Sequence, residues 1–173
     1  MLSNYILYPT IGIILLMLLS SCTVDRTIPV VENFIPVNYM GKWYEIARLP
    51  NHFQKGLTNV YANYTLNENG EIKVENFGMN GSDVKSITGI AKLNPQPNIG
   101  ELKVCFFYPF YSSYRIVKLA PDYRYSIVIG NKPKTLWILS RTPVLSIQDL
   151  REINHFLKGH KIPIEKLLWN KSL

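Results

Sequence analysis

The sequence is poor in the residues that would make it a metal centre, a disulfide-stapled module or a hydrolase. It has two cysteines, Cys22 and Cys105, and three histidines, His52, His155 and His160. Two cysteines are too few for a disulfide framework, and the histidines have no metal-ligand spacing. No glycine-rich phosphate loop and no serine elbow occurs, so the sequence implies no nucleotide, metal or other cofactor. Lys and Arg exceed Asp and Glu, giving a net charge of +7. The basic residues stand singly among Tyr, Val and Ile rather than in runs, which argues against nucleic acid as a partner. The longest apolar stretch, 5 to 19, is interrupted by Pro9 and falls short of the roughly 20 residues that span a bilayer.

What is present is a hydrophobic content of 47% over 173 residues, enough to bury the core of one domain. The apolar stretch at the front reads as the core of a secretory signal. It runs into Leu19-Ser20-Ser21-Cys22, which resembles the bacterial lipobox. That resemblance implies a signal peptide over 1–21, a diacylglyceryl thioether on Cys22 and acylation of the amine freed by cleavage. Three acyl chains exceed the two signals needed for stable anchoring. Thr23 stands where Asp would retain such a lipoprotein in the inner membrane, so the resemblance points to the outer membrane, on its periplasmic face. The other reading of the segment is an ordinary signal or an uncleaved anchor, with Cys22 incidental. If Cys22 is acylated, Cys105 has no partner and the fold has no disulfide. Residues 22–35, with Pro29 inside them and Pro36 just after, read as a tether.

From residue 36 to 173 the chain reads as one domain. Short alternating runs are separated by turn signals, as in antiparallel all-β sandwiches and barrels. Eight strands are expected, at 42–50, 57–66, 71–78, 84–92, 101–108, 113–119, 124–130 and 135–141. Asn67-Glu68-Asn69-Gly70 is a hairpin signal because Asn and Gly tolerate positive φ. In up-and-down order every even strand returns to the end where the first began. The turns near 67–70, 93–100 and 120–123 then share an end with Trp43, and Arg141 arrives there too. The loops at 50–56, 78–83, 108–113 and 130–134 form the other end, a mouth. After Pro143 the period changes: Ser146 with Asp149 makes a capping pattern, and Leu150, Ile153 and Leu157 form a helical stripe ending at Gly159. Residues 167–169 suggest a last short strand.

Gly41-Lys42-Trp43-Tyr44-Glu45-Ile46-Ala47-Arg48-Leu49-Pro50 near the front and Leu139-Ser140-Arg141-Thr142-Pro143 near the back carry a resemblance to the lipocalins. The likeness is greatest to the bacterial outer-membrane branch and its apolipoprotein D relatives. A third motif survives only as Pro121-Asp122-Tyr123-Arg124-Tyr125, while Phe106-Phe107-Tyr108-Pro109-Phe110-Tyr111 is similar to the bacterial branch. The resemblance implies an eight-stranded antiparallel up-and-down β-barrel, closed at one end, with one C-terminal helix outside it. It also implies a noncatalytic carrier of fatty acids or lysophospholipids, with a role in envelope maintenance.

Gly41, Trp43 and Arg141 are expected to close the barrel, the guanidinium stacked on the indole. Trp43 sets the phase of the first strand, so Glu45, Ala47 and Leu49 are expected to face inward, and period-two alternation sorts the rest. The expected ligand lining is Ala47, Leu49, Val60, Ala62, Tyr64, Val74, Asn76, Val104, Phe106, Tyr114, Ile116, Trp137 and Leu139. Ile72 and Leu102 share that face, and Ile138 faces the helix. Bulk alone does not separate a filled barrel from a hollow one; Ala47, Ala62 and Gly89 favour space. At the mouth, His52, Lys55, Lys132 and Lys134 outnumber Asp83 and offer an anionic head group a seat, or make a merely solvated rim. Two alternatives remain: an enzyme acting on a lipid through Cys105, which requires that thiol to face inward whereas parity places it outward, and an interaction module with a filled barrel whose loop 108–111 binds a partner or the bilayer. Monomer and homodimer are both left open.

Overall fold

In the computed structural model, residues 28–96, 98–131 and 135–170 are described. The expected signal segment, Cys22, Lys132 and Lys134 lie outside them. The elements in chain order are α1 (Pro36–Tyr39), β1 (Gly41–Arg48), β2 (Thr58–Leu66), β3 (Ile72–Asn80), β4 (Asp83–Leu93), β5 (Glu101–Phe107), β6 (Phe110–Leu119), β7 (Tyr125–Ile129), β8 (Leu136–Ser140), α2 (Ile147–Gly159), a 3-10 turn (Ile164–Lys166) and β9 (Leu168–Trp169).

Each strand from β1 to β8 pairs antiparallel with the next, and β8 pairs back onto β1. Eight strands therefore close into an up-and-down barrel without an edge. Closure removes the unpaired backbone row that an open sheet would present to other chains. The short β9 pairs with the far half of β1, which β2 leaves free, Ala47 opposite Trp169 and Arg48 opposite Leu168. Among the described residues, no helix is long and apolar enough to cross a membrane.

Two apolar clusters organise the domain. One lies inside the barrel: Trp43, Ala62, Tyr64, Ile72, Val74, Ala91, Leu102, Val104, Ile116, Val128 and Leu139, with Phe34 and Tyr39 from beneath. The other lies outside, where Ile153 and Leu157 of α2 pack on Ile127, Ile129 and Ile138. The helical stripe thus covers one outer wall, leaving that wall buried on both faces. Ser146 caps α2 by accepting a hydrogen bond from the Asp149 backbone N–H (3.0 Å), and Arg124 donates to the Asp149 carboxylate (2.8 Å). The 120–124 turn is thereby tied to the start of the helix.

The segment read as a tether is docked from residue 28 onward. Val31 exchanges backbone hydrogen bonds with Gly100 and Ile116, Phe34 N–H donates to the Asn98 carbonyl, and Phe34 is buried. Apolar Phe34 and Tyr39 are what hold this stretch down, a signal that Pro29 and Pro36 mask. It passes under the barrel, and α1 delivers Tyr39 to the floor.

Gly89 shows how tightly β4 and β5 approach. A Cβ built there would stand 2.5 Å from the Cys105 carbonyl oxygen and 2.7 Å from the Phe106 ring. Because the nearer atom is backbone, no side-chain rotation relieves the clash. Gly89→Ala is expected to cost about 1–3 kcal/mol through overpacking, read as a lowered midpoint of thermal or urea unfolding.

Candidate binding site: a stoppered barrel

Gly41 opens β1 with φ +90°, a conformation available to glycine without strain. This turn sets Trp43 inward at the bottom, where it is fully buried. Its Nε1 donates to the Tyr39 carbonyl (2.8 Å), and the Tyr39 ring lies 4.6 Å from the indole. The Arg141 guanidinium sits 4.0 Å from the indole centroid and donates to the Lys42 carbonyl (3.0 Å) and the Asn38 carbonyl (2.8 Å). One cation thus ties β1, the α1 segment and the end of β8 to a single plug. A cation stacked on an indole contributes about 0.5–2 kcal/mol, and the two carbonyl contacts add to it.

Above the plug, buried hydroxyls form a chain. Tyr39 bonds to Ser126 (2.9 Å) and to Tyr114 (2.8 Å), and Tyr114 bonds to Tyr64 (3.0 Å). Burial pushes the Tyr39 phenol up to about 12, and those of Tyr64 and Tyr114 well above their ordinary value. All three therefore remain neutral hydrogen-bonding groups throughout the physiological range.

Along the same face exposure rises toward the mouth. Ile72, near the floor, is 0% exposed, whereas Ile87, opposite Asn76 on the inward face of β4, is 37% exposed. Asn76, Phe106, Tyr114 and Trp137 are half-buried. Ala62, Tyr64, Val74, Val104, Ile116 and Leu139 belong to the interior cluster, with Phe106, Tyr114 and Trp137 against it. Val60 is buried beside Gly78.

Ala47 and Leu49 do not face the interior; they pack in the outer cluster. The cause is a β-bulge: Glu45 is opposite Leu139, yet Ala47 is already opposite Ile138, and Arg48 opposite Trp137. The extra residue in β1 reverses the inward–outward phase. Alternation counted from Trp43 holds up to Glu45 and fails beyond it.

The same bulge brings Arg48 inside, a residue that the alternating pattern had placed outside. It is buried and paired with the buried Glu45 carboxylate, and it also donates to the Gln54 and Leu57 carbonyls (2.9 and 3.0 Å). Gln54, folded in from the β1–β2 loop, donates to Glu45 (2.6 Å) and accepts from Trp137 Nε1 (2.7 Å). Burial raises the Glu45 carboxyl above its ordinary value, opposed by the charge and hydrogen bond of Arg48. A polar layer therefore crosses the upper interior, between the apolar shaft and the mouth. Its only trace in the sequence is the pair Glu45 and Arg48 amid apolar neighbours.

At the rim His52, Lys55 and Asp83 are exposed, and Asp83 carries Lys85 at 3.3 Å. Cys105 pairs across with Ile90 and Tyr111, on the opposite face from Val104, and is buried. A packed thiol off the interior face is poorly placed for chemistry there. In the folded protein Cys105 is expected to react with an aromatic disulfide reagent at least about 100-fold more slowly than in denaturant, since only an accessible thiolate attacks; equal rates would show an accessible thiol.

A closed eight-stranded antiparallel cup, plugged at one end by a stacked indole and guanidinium and lined by apolar side chains, defines a class of proteins that hold small apolar molecules. The family model "Lipocalin-like domain" matches residues 37–172, and the chain belongs to the lipocalin family. It is 37% identical over 155 residues to the outer membrane lipoprotein Blc of Citrobacter freundii, covering 88% of each chain. It is 39% identical over 156 residues to that of Vibrio cholerae, covering 88% of this chain and 91% of the other. Bovine apolipoprotein D is 34% identical over 148 residues, 80% of this chain and 77% of the other. Among solved structures, insecticyanin from the tobacco hornworm superposes with a TM-score of 0.71 at 17% identity, covering 84% of this chain and 85% of that one. Membership makes this a small-ligand-binding protein and not an enzyme.

Proposed function

We propose that the protein is an outer-membrane lipoprotein lipocalin, anchored through acylated Cys22, that carries a single-chain amphiphile such as a fatty acid or lysophospholipid in its barrel. The observation that carries this reading is the gradient on the inner wall, sealed at Ile72 and open at Ile87. Such a wall admits an acyl tail from the mouth and stops it above the tyrosine hydroxyls. At about 0.8 kcal/mol per buried CH₂, ten methylenes supply roughly 8 kcal/mol. Association costs of at least about 4 kcal/mol leave no more than about 4 kcal/mol, millimolar affinity from ten methylenes alone, so the micromolar range takes about five more buried methylenes or contacts to the head group. The head group stays at the polar layer and rim, where Arg48, Gln54 and Lys55 stand.

The anchor rests on the lipobox at Leu19–Cys22 and on similarity to relatives named as outer membrane lipoproteins. The test is to purify the full chain from membranes, identify the co-purifying lipids by mass spectrometry, then strip them and titrate a fluorescent fatty acid. One equivalent bound at micromolar or lower Kd is expected. A lipid-free protein that ignores the probe would leave the filled-barrel interaction module standing instead. Mass analysis of the N-terminal peptide should find three acyl chains on Cys22, and Cys22→Ser should lose them.

A further inference from the structure

We propose that the mouth of the barrel is also a membrane-docking face: its aromatic loop tips enter the interface of the bilayer that holds the anchor, so ligand passes between barrel and lipid without crossing bulk water. The inference rests on the anchored-carrier reading and adds an orientation to it. Two independent observations carry it.

The first is where the exposed aromatics lie. Phe53 in the β1–β2 loop is 73% exposed, and in the β5–β6 hairpin Phe107, Tyr108 and Phe110 are 69%, 84% and 76% exposed. Val84, at the β3–β4 tip, is exposed beside them at the same end, and Trp169 is paired with the mouth half of β1. Among the described residues every large exposed aromatic is on the mouth half. The exposed apolar residues around the floor, Ile35, Val37 and Leu66, are aliphatic. Aromatic rings with a wet edge are the side chains that settle at the level of lipid head groups. The nearby Lys55 and the net charge of +7 suit an anionic lipid surface.

The second is where the chain departs. Ile28 lines a surface depression with Leu49, Ile129 and Leu136, at the mouth ends of β1, β7 and β8, and its carbonyl accepts from Arg115 (2.7 Å). Only from there does the chain descend to the floor. Ile28 stands six residue steps after Cys22, a stretch that spans at most about 20 Å. An acyl anchor on Cys22 therefore holds the mouth-side shoulder, and not the α1 floor, nearest its point of attachment. Tether and aromatic tips favour the same end.

The test uses the full-length acylated protein in vesicles of phosphatidylethanolamine and phosphatidylglycerol. Spin labels are placed at Phe110→Cys and, at the floor, Val37→Cys; both labelled side chains are exposed, and the buried Cys105 is left in place because its packed thiol reacts slowly. The label at 110 is expected to become accessible to oxygen and shielded from a nickel chelate, while the label at 37 remains aqueous. In parallel, Phe53→Asp with Phe107→Asp and Phe110→Asp should slow transfer of a fluorescent fatty acid to acceptor vesicles at least about 10-fold, with its affinity for the protein unchanged. An aqueous label at 110 on vesicle-bound protein overturns the docking and leaves the anchor intact. A label at 110 shielded from both probes marks a protein partner and overturns it too. Failure of the acylated chain to incorporate overturns the anchor, and the docking with it.

Discussion

Trp43→Ala is expected to lower stability by about 3–5 kcal/mol, the usual cost of emptying a fully buried aromatic site, and so to lower Tm by roughly 10 °C in a domain of this size. The indole is the plug on which Tyr39 packs and over which Arg141 lies. Its removal strands the Tyr39 carbonyl, which accepts the indole N–H, and leaves Arg141 without its platform. Arg141→Met should cost less, about 1–3 kcal/mol, because it removes the stacked charge and the bonds to Asn38 and Lys42 but leaves no cavity. The two losses should not add, since each substitution dismantles part of the contact that the other tests. Calorimetry of the two single variants and the double variant measures that coupling. Strict additivity would mean that plug and clamp act separately.

Arg48→Met is expected to cost about 3–5 kcal/mol at neutral pH, the penalty for leaving a buried carboxylate unpaired. Glu45→Gln with Arg48→Met should recover most of it. The pH dependence separates this from loss of packing. Glu45 in the parent protein titrates above its ordinary value, so its ionisation costs stability as pH rises out of the ordinary carboxylate range. Arg48 supplies the largest opposing contribution. Without it the carboxyl shifts further up, the folded state holds its proton to higher pH, and the variant should gain stability relative to the parent on acidification from neutrality. Urea unfolding of both proteins at neutral and mildly acidic pH reads the difference. A gap that stays constant with pH would place the effect in packing and not in the charge of Glu45.

Period-two alternation was enough to separate inside from outside wherever a strand runs unbroken. Ile72 and Val74 on β3, Leu102 and Val104 on β5, and Trp137 and Leu139 on β8 share the interior cluster, while Ile138 lies under α2. Parity of an up-and-down meander also brought Trp43 and Arg141 to one end, 4.0 Å apart. The helix was legible to the residue, from its Ser146 cap to Gly159. Strand β6 begins at Phe110, where a longer mouth loop was expected, because Phe107 pairs directly with Phe110 and the turn needs no more chain.

The sequence by itself determined the order of the walls and the helix, which follow from local periodicity and from counting strands, while the closed barrel and its plugged end were carried by the resemblance of the motifs at Gly41–Pro50 and Leu139–Pro143 to the lipocalins. What the tertiary structure alone decided lies beyond the bulge in β1: Ala47 and Leu49 outside, Arg48 inside against Glu45 and Gln54, and residues 28–35 bound under the floor. A bulge is a mismatch between two strands, here β1 and β8, and neither strand records it alone. One inserted residue inverts the phase of everything after it, and so it moved a guanidinium from the wall's exterior into the path a ligand would take.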